Sequence, residues 1–286
     1  MFKIYYNLIK PGIIYGNAIT AAAGFFMAAK GHINWFLFLA MLMGLSFVVA
    51  SACVINNIWD RDIDQRMERT KNRAIVTGTV SKNHAFIFAI ILLLLGIVAL
   101  HHHVNQSALI TALVGFLVYV FLYTPLKRRS VHATLVGAIA GAVPPVVGYT
   151  AVTNKFDLGA LLLFSILVAW QMPHFYSIAI RRLDDYAAAG IPVLPVKKGV
   201  RITKINILIY ILLFITTTVL LFVFKYSGYF YLTIISLMGL TWLWFGIQGF
   251  KTNIDDKAWA RKMFLLSLII ILVFSITVSI DAIINK

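Results

Sequence analysis

Carboxylates are what this chain has least of for its size: ten Asp and Glu stand against 25 Lys and Arg in 286 residues. A single cysteine, Cys53, excludes an intramolecular disulfide, and its apolar surroundings suit a small packed residue rather than a redox thiol. Charged residues make up only 12% of the chain while 61% is hydrophobic, more than a soluble core of this size requires. Low-complexity tracts, tandem repeats and a soluble domain are all missing, and connecting segments stay at or below about 25 residues. The opening stretch MFKIYYNLIKPG lacks the small-residue cleavage site of a signal peptide, so the first apolar segment is expected to remain as a membrane helix. A net charge of +15 would ordinarily raise nucleic acid as a partner. The placement of that charge, in short segments between apolar runs, excludes it.

What the chain does have is long apolar runs. Nine are read from hydropathy, over residues 12–29, 34–56, 84–101, 107–123, 133–151, 158–180, 205–224, 229–248 and 264–283. The fold class is therefore all-α: a polytopic membrane protein of about nine transmembrane helices, forming one domain over residues 1–286. Threading the spans alternately places every Lys and Arg except Lys30, Lys155, Lys225 and Lys286 on the side of the N-terminus. That bias predicts a cytoplasmic N-terminus and an outward C-terminus.

The scarce acids are concentrated. Residues 56–78, NNIWDRDIDQRMERTKNRAIVTG, carry four of the ten and follow directly on the second run. Asn56, Asp60 and Asp64 recur every fourth residue, so a continuing helix aligns them along one face with a rise of about 6 Å per step. Oxygen ligands spaced this way suit a hard divalent cation that in turn holds phosphate oxygens. Arg66, Arg69, Lys71 and Arg73 follow at once, as a polyanionic leaving group requires. Acids four apart also occur on solvated helix faces, paired with neighbours such as Arg61 or Arg66. The scarcity of carboxylates elsewhere and the adjacent membrane span favour the functional reading.

A second polar constellation ends the sixth run, WQMPHFYSIAIRRLDDYAAAGIPVLPVKKG over residues 170–199. Pro173 is expected to kink or relax the helix, and Gly190, Pro192 and Pro195 to end it and shape a loop. His174, Arg181 and Asp185 fall within reach of one helix face. His174 suits either a hydrogen-bonded interfacial histidine or a substrate contact, including axial ligation of an iron-bearing substrate. Asp184 and Asp185 suit pairing with Arg181, Arg182 or Lys197. The loops after the second and sixth runs together hold six of the ten acids and are expected to meet over a common cavity. Lys127, Arg128 and Arg129, just after Tyr123-Thr124-Pro125, serve either topology or a phosphate.

Three further features carry less. His101, His102 and His103 point in three directions if helical and read as a solvated span end. Lys10-Pro11-Gly12 opens the first span, within which the amide of Asn17 needs a partner. Gly137, Gly141, Pro144, Pro145 and Gly148 give the fifth span a small face, for close packing or for a flat, bulky ligand.

The N-x-x-x-D-x-x-x-D spacing with its T-K-N-R run resembles the UbiA superfamily of intramembrane prenyltransferases. KPGIIYGN, YTPLKRRS, AGAVPPVVGY, WQMPHF and DDYAAAGIPVLP resemble the haem-farnesylating branch of that superfamily, over residues 8 to 200. Spans seven to nine match in hydropathy only. The resemblance implies nine helices around a central cavity open to lipid and capped by cytoplasmic loops, in a bacterial inner membrane. It implies that Asn56, Asp60 and Asp64 hold Mg²⁺ and, through it, the diphosphate of farnesyl diphosphate, with Lys71, Arg73 and Lys127 neutralising the remainder. The implied acceptor is protohaem IX, with His174, Asp184, Asp185, Tyr123 and Asn17 as candidate contacts and haem-handling or terminal-oxidase assembly proteins as partners. One departure stands out: many members carry a second D-x-x-x-D after span six, where this chain has adjacent Asp184 and Asp185 preceded by Arg181. Arg181 is then expected to supply a fixed charge where those members use a second ion. Two other readings are a prenyltransferase for a quinone-type acceptor and a transporter for an anionic lipid or porphyrin. The transporter reading expects charges within several spans, whereas the polar groups here gather on one side.

Overall fold

In the computed structural model, which describes residues 1–284, every regular element among those residues is helical. Lys286, one of the four basic residues assigned to the outward side, lies outside the described residues. A short helix α1 (Phe2–Leu8) precedes the first span, α2 (Pro11–Ala29). The second span, α3 (Trp35–Trp59), is followed by the one-turn α4 (Arg61–Asp64), and the third is α5 (Lys82–His103). The fourth span comprises α6 (Gln106–Leu117), a π-helical turn over Val118–Tyr123 and the short α7 (Thr124–Leu126). The fifth is α8 (Ala133–Gly141) joined to α9 (Val143–Thr153), and the sixth is α10 (Leu158–Arg181), with α11 (Leu183–Ala188) beyond it. The last three are α12 (Leu194–Val223), α13 (Tyr229–Gln248) and α14 (Asp256–Ile284). Nine helical segments among the described residues are thus long and apolar enough to cross a membrane.

Side-chain caps mark several span starts: Asn34, Ser81, Asn105 and Asp157 each accept a backbone N–H of the first turn that no helical carbonyl can reach. Two spans start well before their apolar runs. The seventh begins at Leu194 and the ninth at Asp256, because turns bearing Lys197, Lys198, Lys204, Lys257 and Arg261 are helical yet too polar for a hydropathy window. Gly199, at φ 82°, puts a single non-helical residue into the former, a conformation for which glycine is suited. The sixth span runs on through Pro173 without interruption.

Consecutive spans are neighbours, and α14 returns to pack on α2, closing the ring. Two apolar cores result, one built mainly by spans one to five and the other by spans five to nine with the first. Large apolar side chains such as Leu94, Leu95, Ile269 and Leu272 point outward, exposed, as lipid-facing groups do. The chain is a polytopic membrane protein.

The two halves of the bundle differ. Far from the acidic loops, backbone meets backbone: a Cβ on Gly24 would lie 1.9 Å from the Pro145 carbonyl oxygen, and one on Gly148 1.9 Å from that of Ala21. The small face of the fifth span therefore serves close packing, with Gly141 fitted against the Gln171 amide. Toward the acidic loops the first span stands clear. Gly12 and Gly16 continue the helix stripe of Ala23 and Met27, which are in the core, yet no atom outside their own helix would come within 4 Å of a Cβ at either glycine. The first and fifth spans thus meet backbone to backbone around Gly24 and Gly148, while Gly12 and Gly16, nearer the acidic loops, stand free of neighbours. At the acidic end the two long loops meet, Ile63 and Met67 packing with Ala189 and Ile191.

Candidate active site

At Asp60 the backbone leaves helical values (φ −88°, ψ 0°), so the second span does not continue unbroken through the acidic residues as expected. The four-residue bonding nevertheless persists: Asp60 N–H donates to Asn56 O at 2.9 Å and Asp64 N–H to Asp60 O at 2.8 Å. The bend preserves the ladder. Asn56, Asp60 and Asp64 are all buried, at 3%, 1% and 4% exposure, which rules out a solvated acidic face.

Each rung faces a cation from a different part of the chain. Lys10 Nζ donates to Asn56 Oδ1 at 2.6 Å. Lys127 is ion-paired with Asp60 Oδ2, and Arg73 Nη1 lies 2.5 Å from Asp64 Oδ2. Only one orientation of the Asn56 amide satisfies its partners, since the ammonium can only donate. Nδ2 accordingly donates to Thr124 Oγ1 at 3.1 Å, and Thr124 donates in turn to Tyr119 O at 2.8 Å. That contact spans five residues across the π-helical turn, where Pro125 removes a backbone N–H, and π-turns of this kind recur at functional sites. Neighbouring Asn57 donates to Leu8 O at 2.9 Å, pinning the end of α1 and so the position of Lys10. Burial lowers the Lys10 ammonium pKa to about 8, the Cys53 and Asp60 side chains acting against the fall.

Asp60 Oδ1 is buried and has no hydrogen-bond partner among the described residues. Asp62, by contrast, points outward into a two-pronged pair with Arg128, at 2.8 and 2.7 Å, which holds its carboxyl below the ordinary value.

Other expected site residues are placed elsewhere. Lys71, half-exposed, pairs with Glu68 at 2.7 Å and not with the ladder, because the loop turns between it and Arg73. Asp184, exposed, pairs with Lys257 at 2.6 Å, while Asp185 lies 3.7 Å from Arg182. Helical geometry lapses at Arg182 (φ −109°, ψ 29°), so His174, Arg181 and Asp185 do not share one continuous helix face. Arg181 is partly buried at the end of α10 and forms no ion pair among the described residues. Tyr123 packs on Tyr119 in a tilted pair, centroids 5.2 Å apart, with its ring against Gly137, next to Thr124. Asn17 is partly buried, and its side chain makes no hydrogen bond among the described residues. His101, His102 and His103 are exposed at the end of α5, as expected of a solvated span end.

His174 lies between the sixth and ninth spans. Its ring stacks at 4.9 Å on Trp170 and packs 5.0 Å from Phe264, and Nδ1 meets Ser267 Oγ at 2.8 Å. Ser267 Oγ also lies 2.6 Å from Phe264 O, which ties the histidine into the packing of the ninth span. Among the described residues no cluster of three His, Cys, Asp or Glu side chains is placed to hold a metal, so an ion at the ladder would use two carboxylates and the Asn56 amide.

A buried amide–carboxylate ladder with cationic partners thus lies under docked loops at one end of a bundle with nine membrane-length helical segments among the described residues, the fold of a polytopic membrane enzyme. The chain belongs to the UbiA prenyltransferase family, whose model matches residues 17–268. It is 49% identical to a protoheme IX farnesyltransferase of Protochlamydia amoebophila (strain UWE25), over 98% of this chain and 99% of that one. It is 50% identical to a protein of the same name from Pseudomonas savastanoi pv. phaseolicola, over 99% and 96% of the two chains. Among solved structures, that of a digeranylgeranylglyceryl phosphate synthase superposes with a TM-score of 0.81 at 22% identity, over 99% and 98% of the chains. A UbiA homolog from Archaeoglobus fulgidus bound to GPP and Mg²⁺ superposes with a TM-score of 0.74 at 16% identity, over 96% and 99%.

Proposed function

We propose that this chain transfers a farnesyl group from farnesyl diphosphate to a vinyl group of protohaem IX, with addition of water, giving haem O and releasing diphosphate. Identity of about half the residues to relatives named for that reaction supports the choice of donor and acceptor. The observation that carries the chemistry is Asp60: a buried carboxylate oxygen with no hydrogen-bond partner among the described residues is a lone pair left for a hard cation. The residues thus fit magnesium, and Asp60, Asp64 and Asn56 would hold it. When bound, the ion supplies electrostatic stabilisation of the departing diphosphate.

The chain's own groups do the rest. Lys127 and Arg73, already at the ladder, and Arg181 at the end of α10 present fixed positive charge to the diphosphate as the allylic C–O bond breaks and its electron pair leaves on oxygen. The paired Tyr119 and Tyr123 line the approach with π faces that favour an allylic cation and exclude water. The acceptor vinyl group forms the new carbon–carbon bond. His174, held by Ser267 between the sixth and ninth spans, is the side chain that the sixth span offers as a contact to the haem. Asp184 and Asp185 contribute to the loop cover, held by Lys257 and Arg182. With the basic ends in the cytoplasm of a bacterial inner membrane, both substrates enter from that side.

The test is to incubate membranes containing the protein with haem and farnesyl diphosphate, with and without EDTA, and to identify products by mass. A hydroxyethylfarnesyl haem, lost with EDTA, is expected. Prenylation of 4-hydroxybenzoate in place of haem would move the acceptor to the quinone class.

A further inference from the structure

We infer that Lys10 is a built-in counter-ion of the Asn56–Asp60–Asp64 ladder, and that the site accordingly takes up a divalent ion together with a diphosphate rather than alone. The inference deepens the function proposed above and rests on it. The ladder brings two carboxylates, Asp60 and Asp64, and three cations contact it: Lys10, Lys127 and Arg73. The cluster, its acids buried and its cations partly so, is therefore positive by one charge before any ion arrives. A lone Mg²⁺ would raise that to about three positive charges in a region withdrawn from water, which is costly. Magnesium with a prenyl diphosphate, or with inorganic diphosphate near neutral pH, each carrying roughly three negative charges, leaves the cluster near neutral. The charge balance of the site is complete only with both.

Lys10 is the member of this set that is built for the purpose. Its ammonium occupies Asn56 Oδ1, the oxygen that the ladder would offer to an ion. Its backbone is left-handed (φ 54°, ψ 67°) and precedes Pro11, a conformation that a residue with a side chain adopts at some cost. The surroundings hold it there: Asn57 grips Leu8 O from one side and α2 begins immediately on the other. Lys127 and Arg73 pair with carboxylates, which a cation must neutralise in any state, whereas Lys10 pairs with a neutral amide and loses least by moving. Arrival of an ion at Asn56 frees the ammonium, and the diphosphate arriving with that ion is the anion that receives it.

The experiment uses the full chain in nanodiscs with Mn²⁺ as the probe, bound metal being read by electron paramagnetic resonance with and without inorganic diphosphate. Wild type is expected to bind Mn²⁺ at least about tenfold more tightly when diphosphate is present. Lys10→Met should narrow that gap from both ends, each affinity moving by roughly tenfold, and Lys10→Arg should restore it. Lys10→Gln, an uncharged side chain that keeps a donor for Asn56, replaces Lys10→Met if the latter is not monodisperse. Wild type binding Mn²⁺ equally well without diphosphate overturns the inference, as does an unchanged gap in the neutral variants. Failure of wild type to bind Mn²⁺ even with diphosphate is a different result: it removes the proposed function itself, and this inference with it.

Discussion

Lys127 and the buried Asp60 form an ion pair although 67 residues separate them in sequence. The pair joins the end of the fourth span to the end of the second, and each partner would be a costly unpaired charge without the other. One contact therefore does two things: it fixes how two spans meet, and it sets a cation against the carboxylate whose second oxygen is left without a partner.

Asp60→Asn and Asp64→Asn should each lower prenyl transfer by about a hundredfold or more, because both remove a charge that would hold the ion. Size-exclusion profiles and helical content should remain those of wild type. Full magnesium-dependent turnover by either variant would refute the site.

Arg73 and Lys71 lie two residues apart and should behave differently. Arg73→Ala leaves buried Asp64 without its 2.5 Å partner and should cost activity heavily, together with stability of about 3–5 kcal/mol. Lys71→Ala breaks only an exposed pair with Glu68, worth at most about 1 kcal/mol, and should turn over nearly normally. Equal losses in kcat/KM would show that Lys71 leaves Glu68 for the substrate.

Asp62 should contribute a small, pH-dependent part of the stability. Arg128 holds the Asp62 carboxyl below its ordinary value, so the pair stabilises the protein above the unfolded carboxylate pKa and ceases to as pH falls through the folded one. Asp62 is 60% exposed, so the effect is at most about 1 kcal/mol. Asp62→Asn should accordingly retain activity and lose the small stability difference between pH 7 and pH 3 in thermal melts.

The glycines of the first span should divide by position. Gly24→Leu places atoms where the Pro145 carbonyl already is and should destabilise the bundle by at least about 1–3 kcal/mol. Gly12→Ala meets open space and should leave the melting temperature unchanged or higher. A matching loss for both would place Gly12 in a packed seam.

Burying a charge between the loops should separate binding from chemistry. Ile191→Asp sets a carboxylate among Ile63, Met67 and Ala189, and should undock the sixth-span loop from the acidic one. KM for the prenyl donor is expected to rise more than kcat falls. A purely structural loop would change the melting temperature with neither kinetic constant affected.

Much of this was legible in sequence, for identifiable reasons. Span positions follow from apolar runs that nothing but a bilayer or a core requires, and the ladder from a four-residue period of oxygen-bearing side chains. What could not be read was partnership at a distance. Lys10 appeared only as the residue opening a span, yet it reaches Asn56, 46 residues away. Thr124 and Asn57 left as their only signals a hydroxyl before a proline and a doubled asparagine. The shared face of His174, Arg181 and Asp185 failed because one residue, Arg182, departs from helical dihedrals, and no local preference announced that.

The seam of Gly24 and Gly148 has a last consequence, for traffic. Carbonyls pressed against the neighbouring helix leave no room for a molecule to pass between the first and fifth spans there. A product of prenyl transfer therefore has no path along that seam and must leave by another face of the bundle.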